Sequence, residues 1–289
     1  MRFSSFFRKL SLVLVWVLLG GCAGLDGGEN SAFAKSNRKS QALAALERPK
    51  LGPKDLFSNR LPRRQINTLA VAGDSLSIGL ASELEKNLAS RPKLGFAKLG
   101  KVSSGLARPD FFDWDRHMED LARRYRPDAV VVMLGTNDNK HLRMQDGSQI
   151  AYGTPEWNRT YMGRVQRIVD IIRAHNPTAT VFWMGAPVMA DPDLSRDLRH
   201  INALVRKVMA AGRDCHFVDT WALFADSSGG FAFSKPDVEA GATLRARDGV
   251  HLTTAGAQAL AERCMAALEA RIDLEASAPG GTPVAATGF

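Results

Sequence analysis

Thr68-Leu69-Ala70-Val71-Ala72-Gly73-Asp74-Ser75-Leu76 is the stretch that decides the fold. Thr68–Ala72 is short and apolar, and it predicts a buried strand. The run breaks at Gly73 and passes at once into a segment with Leu80, Leu84 and Leu88 on one helical face. Further strands are predicted at Leu94–Val102, Ala129–Leu134, Thr180–Met184 and His216–Val218. Ala129–Leu134 is wholly apolar, as a central parallel strand covered on both sides must be. Helical spacing fills the gaps. Trp157, Tyr161, Val165, Ile168 and Ile172 share one face; Leu198, Ile201, Val205 and Val208 share another; Leu260, Cys264, Leu268 and Ile272 share a third. This alternation predicts the α/β class, as a three-layer α/β/α sandwich around a parallel sheet. Sites in such sheets lie beyond the carboxyl ends of the strands, so the residues after each strand are the candidates.

Four segments qualify, and each has a second reading. Ser75 stands where a strand end meets a helix start, where its amide at the positive end of the helix helps to hold an oxyanion; alternatively, Asp74 or Ser75 is a helix N-cap. Gly105, in Val102-Ser103-Ser104-Gly105, offers an unhindered amide or is a turn glycine. Asn137, in Gly135-Thr136-Asn137-Asp138, points an amide at a developing oxyanion or belongs to a turn. In Asp248-Gly249-Val250-His251, a carboxylate three residues before an imidazole fixes its tautomer, or the segment is a surface loop before an N-cap at Thr253 or Thr254.

Together the four segments, in this order and after these strands, resemble the SGNH (GDSL) hydrolase superfamily over roughly residues 66 to 272. Ala107 to Trp114 and Pro155-Glu156-Trp157 are similar to an uncharacterised bacterial exported subgroup of it. The resemblance implies a flavodoxin-like sheet of five parallel strands. It implies Ser75 as nucleophile, His251 as base and Asp248 as its orienting partner, with Ser75, Gly105 and Asn137 forming the oxyanion hole. The match is loosest at the glycine, where Ser103 and Ser104 stand in place of a common family Asn. The α/β-hydrolase elbow G-x-S-x-G is excluded, because Ser77 stands at its second glycine.

The implied function is hydrolysis of short acyl esters, acetyl above all, on an envelope glycan. O-acyl transfer on the same triad and a non-catalytic envelope-binding module on a dead scaffold are the alternatives. Neither a metal nor an organic cofactor is expected: His117, His141, His175, His200 and His216 are isolated, and no H-E-x-x-H or paired-cysteine motif occurs. The net charge of +8 favours anionic surroundings, but no nucleic-acid signature accompanies it, so no nucleic-acid partner is expected. Arg108, Arg116, Arg123, Arg124 and Arg126 either draw an acidic polymer or form a solvated helix face. The insertion from Lys140 to Glu156, with Tyr152 inside it and Trp157 just beyond, is expected to shape specificity.

The first residues read as an export signal: Arg2, Arg8 and Lys9 precede the apolar run Leu10–Leu19. Leu19-Gly20-Gly21-Cys22 resembles a lipobox, which makes a lipid on Cys22 the expected membrane contact; cleavage after Ala32-Phe33-Ala34, before Lys35, is the other ending. The expected organisation is a signal over residues 1–22, a tether over 23–60, the hydrolase domain over 61–274 and a disordered tail over 275–289. Periplasm or membrane anchorage is the expected location. Cys215 and Cys264 are then a candidate disulfide or two buried thiols.

Overall fold

The computed structural model describes residues 63–234 and 242–275. The export signal, Cys22, Lys35, the tether and residues 276–289 lie outside the described residues. The elements run β1 (Arg64–Gln65), β2 (Thr68–Gly73), α1 (Ser75–Asn87), β3 (Gly95–Gly100), α2 (Trp114–Tyr125), β4 (Ala129–Met133), β5 (Leu142–Arg143) and β6 (Gln149–Ile150). There follow α3 (Pro155–His175), β7 (Thr180–Met184), α4 (Pro192–Ala211), β8 (Cys215–Val218), α5 (Thr254–Glu269) and β9 (Ile272–Asp273). Five strands form a parallel sheet in the order β3-β2-β4-β7-β8. This is the flavodoxin-like order, and its direction reverses between β2 and β4.

Burial explains the order. All of β4 and β7 is buried, and so is β2 from Leu69 onward, so these apolar strands take the centre. Edge strands β3 and β8 carry partly exposed residues. Helices α1 and α5 pack together, and α2, α3 and α4 form the other layer. Leu80, Leu84, Leu260 and Leu268 are fully buried in the first layer. At about 1.5–3 kcal/mol each, such burial outweighs the few tenths per residue of helix propensity. Side-chain caps set the helix starts: Asp74, Asp113, Thr154, Asp191 and Thr253 each accept an amide from the first turn.

Two expectations are corrected, and one open alternative is decided. The second strand ends at Gly100, not Val102: the Lys101 amide makes the last bond of the ladder, to the Gly73 carbonyl, and the chain then turns away through Ser103, left-handed at φ 58°. Ile272 is not on the last helix; it is buried in β9, paired in parallel with Arg64 of β1. Cys215 and Cys264 are both free, buried thiols. The Cys215 thiol lies 3.4 Å from Arg173 Nη2 of α3, whereas Cys264 is on α5 in the opposite layer. The sheet separates them, and no bridge spans it.

Candidate active site

β2 delivers Ser75 to the carboxyl edge of the sheet, at the switch between β2 and β4. The capping role falls to Asp74, whose Oδ1 accepts the Leu76 amide at 3.0 Å. The Ser75 hydroxyl is thereby free for another partner, and it lies 3.1 Å from Nε2 of His251. On the far side of the ring, Nδ1 lies 2.6 Å from Asp248 Oδ2. Asp248 Oδ1 accepts the amides of Val250 and His251, both at 2.9 Å. The imidazole bond first, then these amides, hold the Asp248 carboxyl down at about 2. An anionic Asp248 keeps the proton on Nδ1, so Nε2 faces Ser75 as the acceptor.

The Asp248–His251 loop is anchored from behind by a residue the sequence reading passed over. Arg245 is 1% exposed, between the rings of Phe224 and Phe231. Its Nη2 donates to the carbonyls of Val188 at 2.7 Å and Gly249 at 3.3 Å, joining the segment after β7 to the loop. Nε and Nη1 have no partner, and burial pulls the guanidinium down to about 10. Gly249 has φ 70°, and a Cβ there would meet the Ala190 Cβ at 2.3 Å, so the loop lies against residue 190 backbone to backbone. Ala190 N also donates to the Gly249 carbonyl at 3.0 Å.

The Gly105–Asn137 side of the site is built on buried acids. Asn137 Nδ2 donates to the Ser104 carbonyl at 2.8 Å, which sets the amide beside Gly105 and leaves its second N–H unused by that bond. Ser104 is held by Trp114, whose Nε1 donates to the Ser104 hydroxyl at 3.1 Å. Under Gly105 lies Asp138, which accepts from the Ala107 amide at 2.8 Å and the Tyr161 hydroxyl at 2.9 Å. A Cβ on Gly105 would come within 2.2 Å of Asp138 Oδ1, so only glycine fits there. Neither the Ser75 nor the Gly105 amide donates to a described residue, and both remain available to a ligand.

Asp74 and Asp138 are fully buried. Burial pushes the Asp74 carboxyl up to about 7; the charge of Asp138 adds to the rise, and the Leu76 amide and Thr136 oppose it. Asp74 Oδ2 nevertheless lacks a partner in hydrogen-bond geometry. Burial raises Asp138 too, against the Ala107 and Tyr161 bonds, and burial beside Asp138 raises the Tyr161 hydroxyl well above its usual value. Tyr161 reads as one more apolar residue of α3, because its ring obeys the helical period and its hydroxyl leaves no trace in that pattern.

The insertion is ordered as the hairpin β5–β6, tied to the Gly105 segment by the Arg143 amide on the Ala107 carbonyl at 2.9 Å. Tyr152 donates to the Asp197 carbonyl at 3.2 Å, and Trp157 to the Lys140 carbonyl at 2.8 Å. Of the five arginines after Gly105, Arg108 and Arg123 are paired with Asp110 and Asp120 at 2.8 Å, and Arg124 lies over the Tyr125 ring. His175 meets Glu119, His200 meets Asn158 and His117 stacks on Phe112. Among the described residues, no group of three or more His, Cys, Asp or Glu side chains is placed to hold a metal ion.

No curated protein matches the chain. Among solved structures, the chain is similar to a carbohydrate esterase family 3 protein from Talaromyces cellulolyticus, at 15% identity over 70% of this chain and 96% of that one, with a TM-score of 0.49. It is similar to an acetyl xylan esterase variant from Geobacillus stearothermophilus, at 17% identity over 73% and 98% of the two chains, with a TM-score of 0.47. It is also similar to the catalytic domain of peptidoglycan O-acetyltransferase A from Streptococcus pneumoniae, at 16% identity over 72% and 94%, with a TM-score of 0.46. The family model described as a protein of unknown function (DUF459) matches residues 68–267, from β2 into α5, and the chain belongs to that family.

Proposed function

We propose that this protein is a serine esterase that removes short acyl groups, acetyl above all, from an envelope glycan. The observation that carries the reading is the relay from Ser75 Oγ to His251 Nε2 at 3.1 Å and from Nδ1 to Asp248 at 2.6 Å, at the carboxyl edge of the sheet. In this mechanism Ser75 Oγ adds to the ester carbonyl as its proton passes to Nε2. The new oxyanion accepts from the Ser75 and Gly105 amides and from Asn137 Nδ2. Collapse expels the alcohol, which takes the proton from His251. Water, deprotonated by the same nitrogen, then releases the acid and restores the Ser75 hydroxyl.

Two features favour hydrolysis of small acyl groups. The Asp248 and His251 side chains are each 50% exposed, so water reaches the acyl-enzyme; acyl transfer requires its exclusion. The insertion in the site is a hairpin with a polar turn and offers a fatty chain little cover, at about 0.8 kcal/mol forfeited per unburied methylene. Export with a lipid on Cys22 belongs to the same proposal and rests on the N-terminal sequence alone. A mature N-terminus at Lys35 in mass spectrometry would replace the lipid anchor by simple secretion.

The test pairs a fluorophosphonate probe with nitrophenyl acetate. Ser75→Ala is expected to abolish labelling and to lower kcat by at least about 10⁴-fold with the fold unchanged. Activity within tenfold of wild type rules Ser75 out as nucleophile. An unlabelled wild-type protein points to the dead scaffold. Acetate passing to an added sugar faster than to water converts the esterase into a transferase.

A further inference from the structure

A cleft of about 1010 Å³ opens beside the oxyanion glycine, walled by Gly105, the start of α2, the first half of α3 and the β5–β6 hairpin. We propose that it binds the glycan strand itself, on the Gly105 side of the reacting ester. The inference rests on the esterase reading above and names where that substrate lies.

The wall chemistry decides the ligand class. Seven charged side chains line the cleft, so a fatty chain laid there would desolvate them at several kcal/mol per unpaired charge, against about 0.8 kcal/mol gained per methylene. A polyhydroxylated chain replaces the lost water instead. The carboxylates are already committed: Asp113 caps α2, Asp146 holds its own turn through Ser148, Asp110 is paired with Arg108, and Asp115 faces Arg167 at 3.5 Å. Arg164 is likewise taken up by the carbonyls of Leu106 and Arg143, each at 2.6 Å. The Arg143 guanidinium differs in degree. Its charge acts on Asp110, but it makes no hydrogen bond to a described residue, and it lines the cleft with donors left for hydroxyl, acetamido or carboxylate oxygens. Phe112, Pro109 and Met144 supply apolar surface for the C–H faces of sugar rings.

Gly163 provides an independent observation. It sits in the interior of α3, where glycine costs about 1 kcal/mol relative to alanine. Its backbone is ordinary helix, and a Cβ built on it meets no atom within 4 Å. Packing therefore does not explain the residue. It lines the cleft, and any side chain there would fill space that a bound strand needs.

Gly163→Leu is the test, because it puts an apolar side chain into the cleft from a position where a Cβ meets no atom, and it removes a helix-interior glycine. The melting temperature is expected to hold or rise. Turnover of nitrophenyl acetate is expected to stay within twofold, while kcat/KM for acetate release from O-acetylated peptidoglycan strands and acetylated xylan oligomers falls at least tenfold. Arg143→Ala is expected to raise KM for these glycans and to leave the nitrophenyl ester unaffected. Glycan turnover unchanged in both variants overturns the cleft assignment and leaves the Ser75 chemistry standing. Equal losses on both substrates also overturn it, because the cleft would then act at the reacting centre. A wild-type protein that cleaves nitrophenyl acetate but no O-acetylated glycan removes the glycan from both proposals. Failure of the Ser75→Ala test removes the esterase reading itself.

Discussion

Two aspartates beside the Ser75–His251 pair have opposite fates. Asp74 precedes Ser75, is fully buried and is pushed up to about 7. Asp248 is half exposed and is held at about 2. Both accept backbone amides. What differs is solvent and the third partner: Asp248 keeps water and receives the imidazole N–H, whereas Asp74 has lost water and faces another acid, Asp138. Burial therefore outweighs a capping hydrogen bond when no cation is present, and a modest set of bonds suffices where solvent remains. The site thus has a proton-holding floor under Ser75 and an anionic end behind His251.

The largest expected effect comes from neutralising the anionic end. Asp248→Asn keeps the shape but presents an amide to Nδ1, which favours the wrong tautomer and places a proton on the nitrogen that faces Ser75. A loss in kcat of about 10³–10⁴-fold is expected, with KM little changed. Because Asp248 titrates near 2, it stays charged at every pH where the wild-type fold is assayed, so the acid limb of the wild-type profile is not its own. A variant within tenfold of wild type would show that the orientation of His251 comes from elsewhere, and the contrast between the two aspartates would lose its meaning for catalysis.

Asp74→Asn tests the other half, through stability. The unfolded chain ionises Asp74 as pH rises past 3.8, but the folded chain holds the proton to about 7. Between these values the folded state binds more protons, so the burden grows with pH and is complete above 7. Its ceiling is about 4 kcal/mol, with Asp138 titrating in the same direction as part of a coupled pair. Asparagine still caps α1 and does not ionise. The stability of the variant relative to wild type is expected to climb from pH 4.5 to pH 8 in urea titrations. A difference that is the same at both pH values would mean that Asp74 is not protonated in the fold.

These two aspartates also mark the limits of what the sequence discloses. The α/β sandwich was legible because Ala129–Leu134 has no polar residue and because Leu80, Leu84 and their counterparts keep helical time. Asp74, Ser75 and Gly105 sit in quotable motifs. The floor did not appear there, because Asp74, Gly105, Asp138 and Tyr161 come from separate segments and only the turn chemistry of each was visible. Arg245 was missed for a related reason: a charged residue is read as exposed, and burying one without a carboxylate is rare. The cysteines show the same limit from another side. Alternation along β8 and periodicity along α5 make Cys215 and Cys264 both inward-facing, but neither pattern says which layer each residue enters.

Arg245 gives the smallest expected effect, and the sharpest separation of geometry from charge. Its guanidinium lies behind the anionic end of the site, and its positive charge is felt by Asp248. Were charge its role, Arg245→Met would let the Asp248 carboxyl rise from about 2, yet it would remain ionised at neutral pH, so catalysis there would not change. The link between the Val188 and Gly249 carbonyls is what methionine removes: the Gly249 carbonyl keeps the Ala190 amide, but the Val188 carbonyl is left short of a donor at about 1–3 kcal/mol. The loop that carries His251 then loosens against Ala190. The expected outcome is a loss in kcat of about tenfold at every pH between 6 and 9, with the same limbs and an unchanged KM for nitrophenyl acetate. Arg245→Lys keeps the charge but not the fork and is expected to recover little of the loss. Full recovery by lysine, or a limb that moves with the methionine variant, would assign Arg245 an electrostatic role in place of a positioning one.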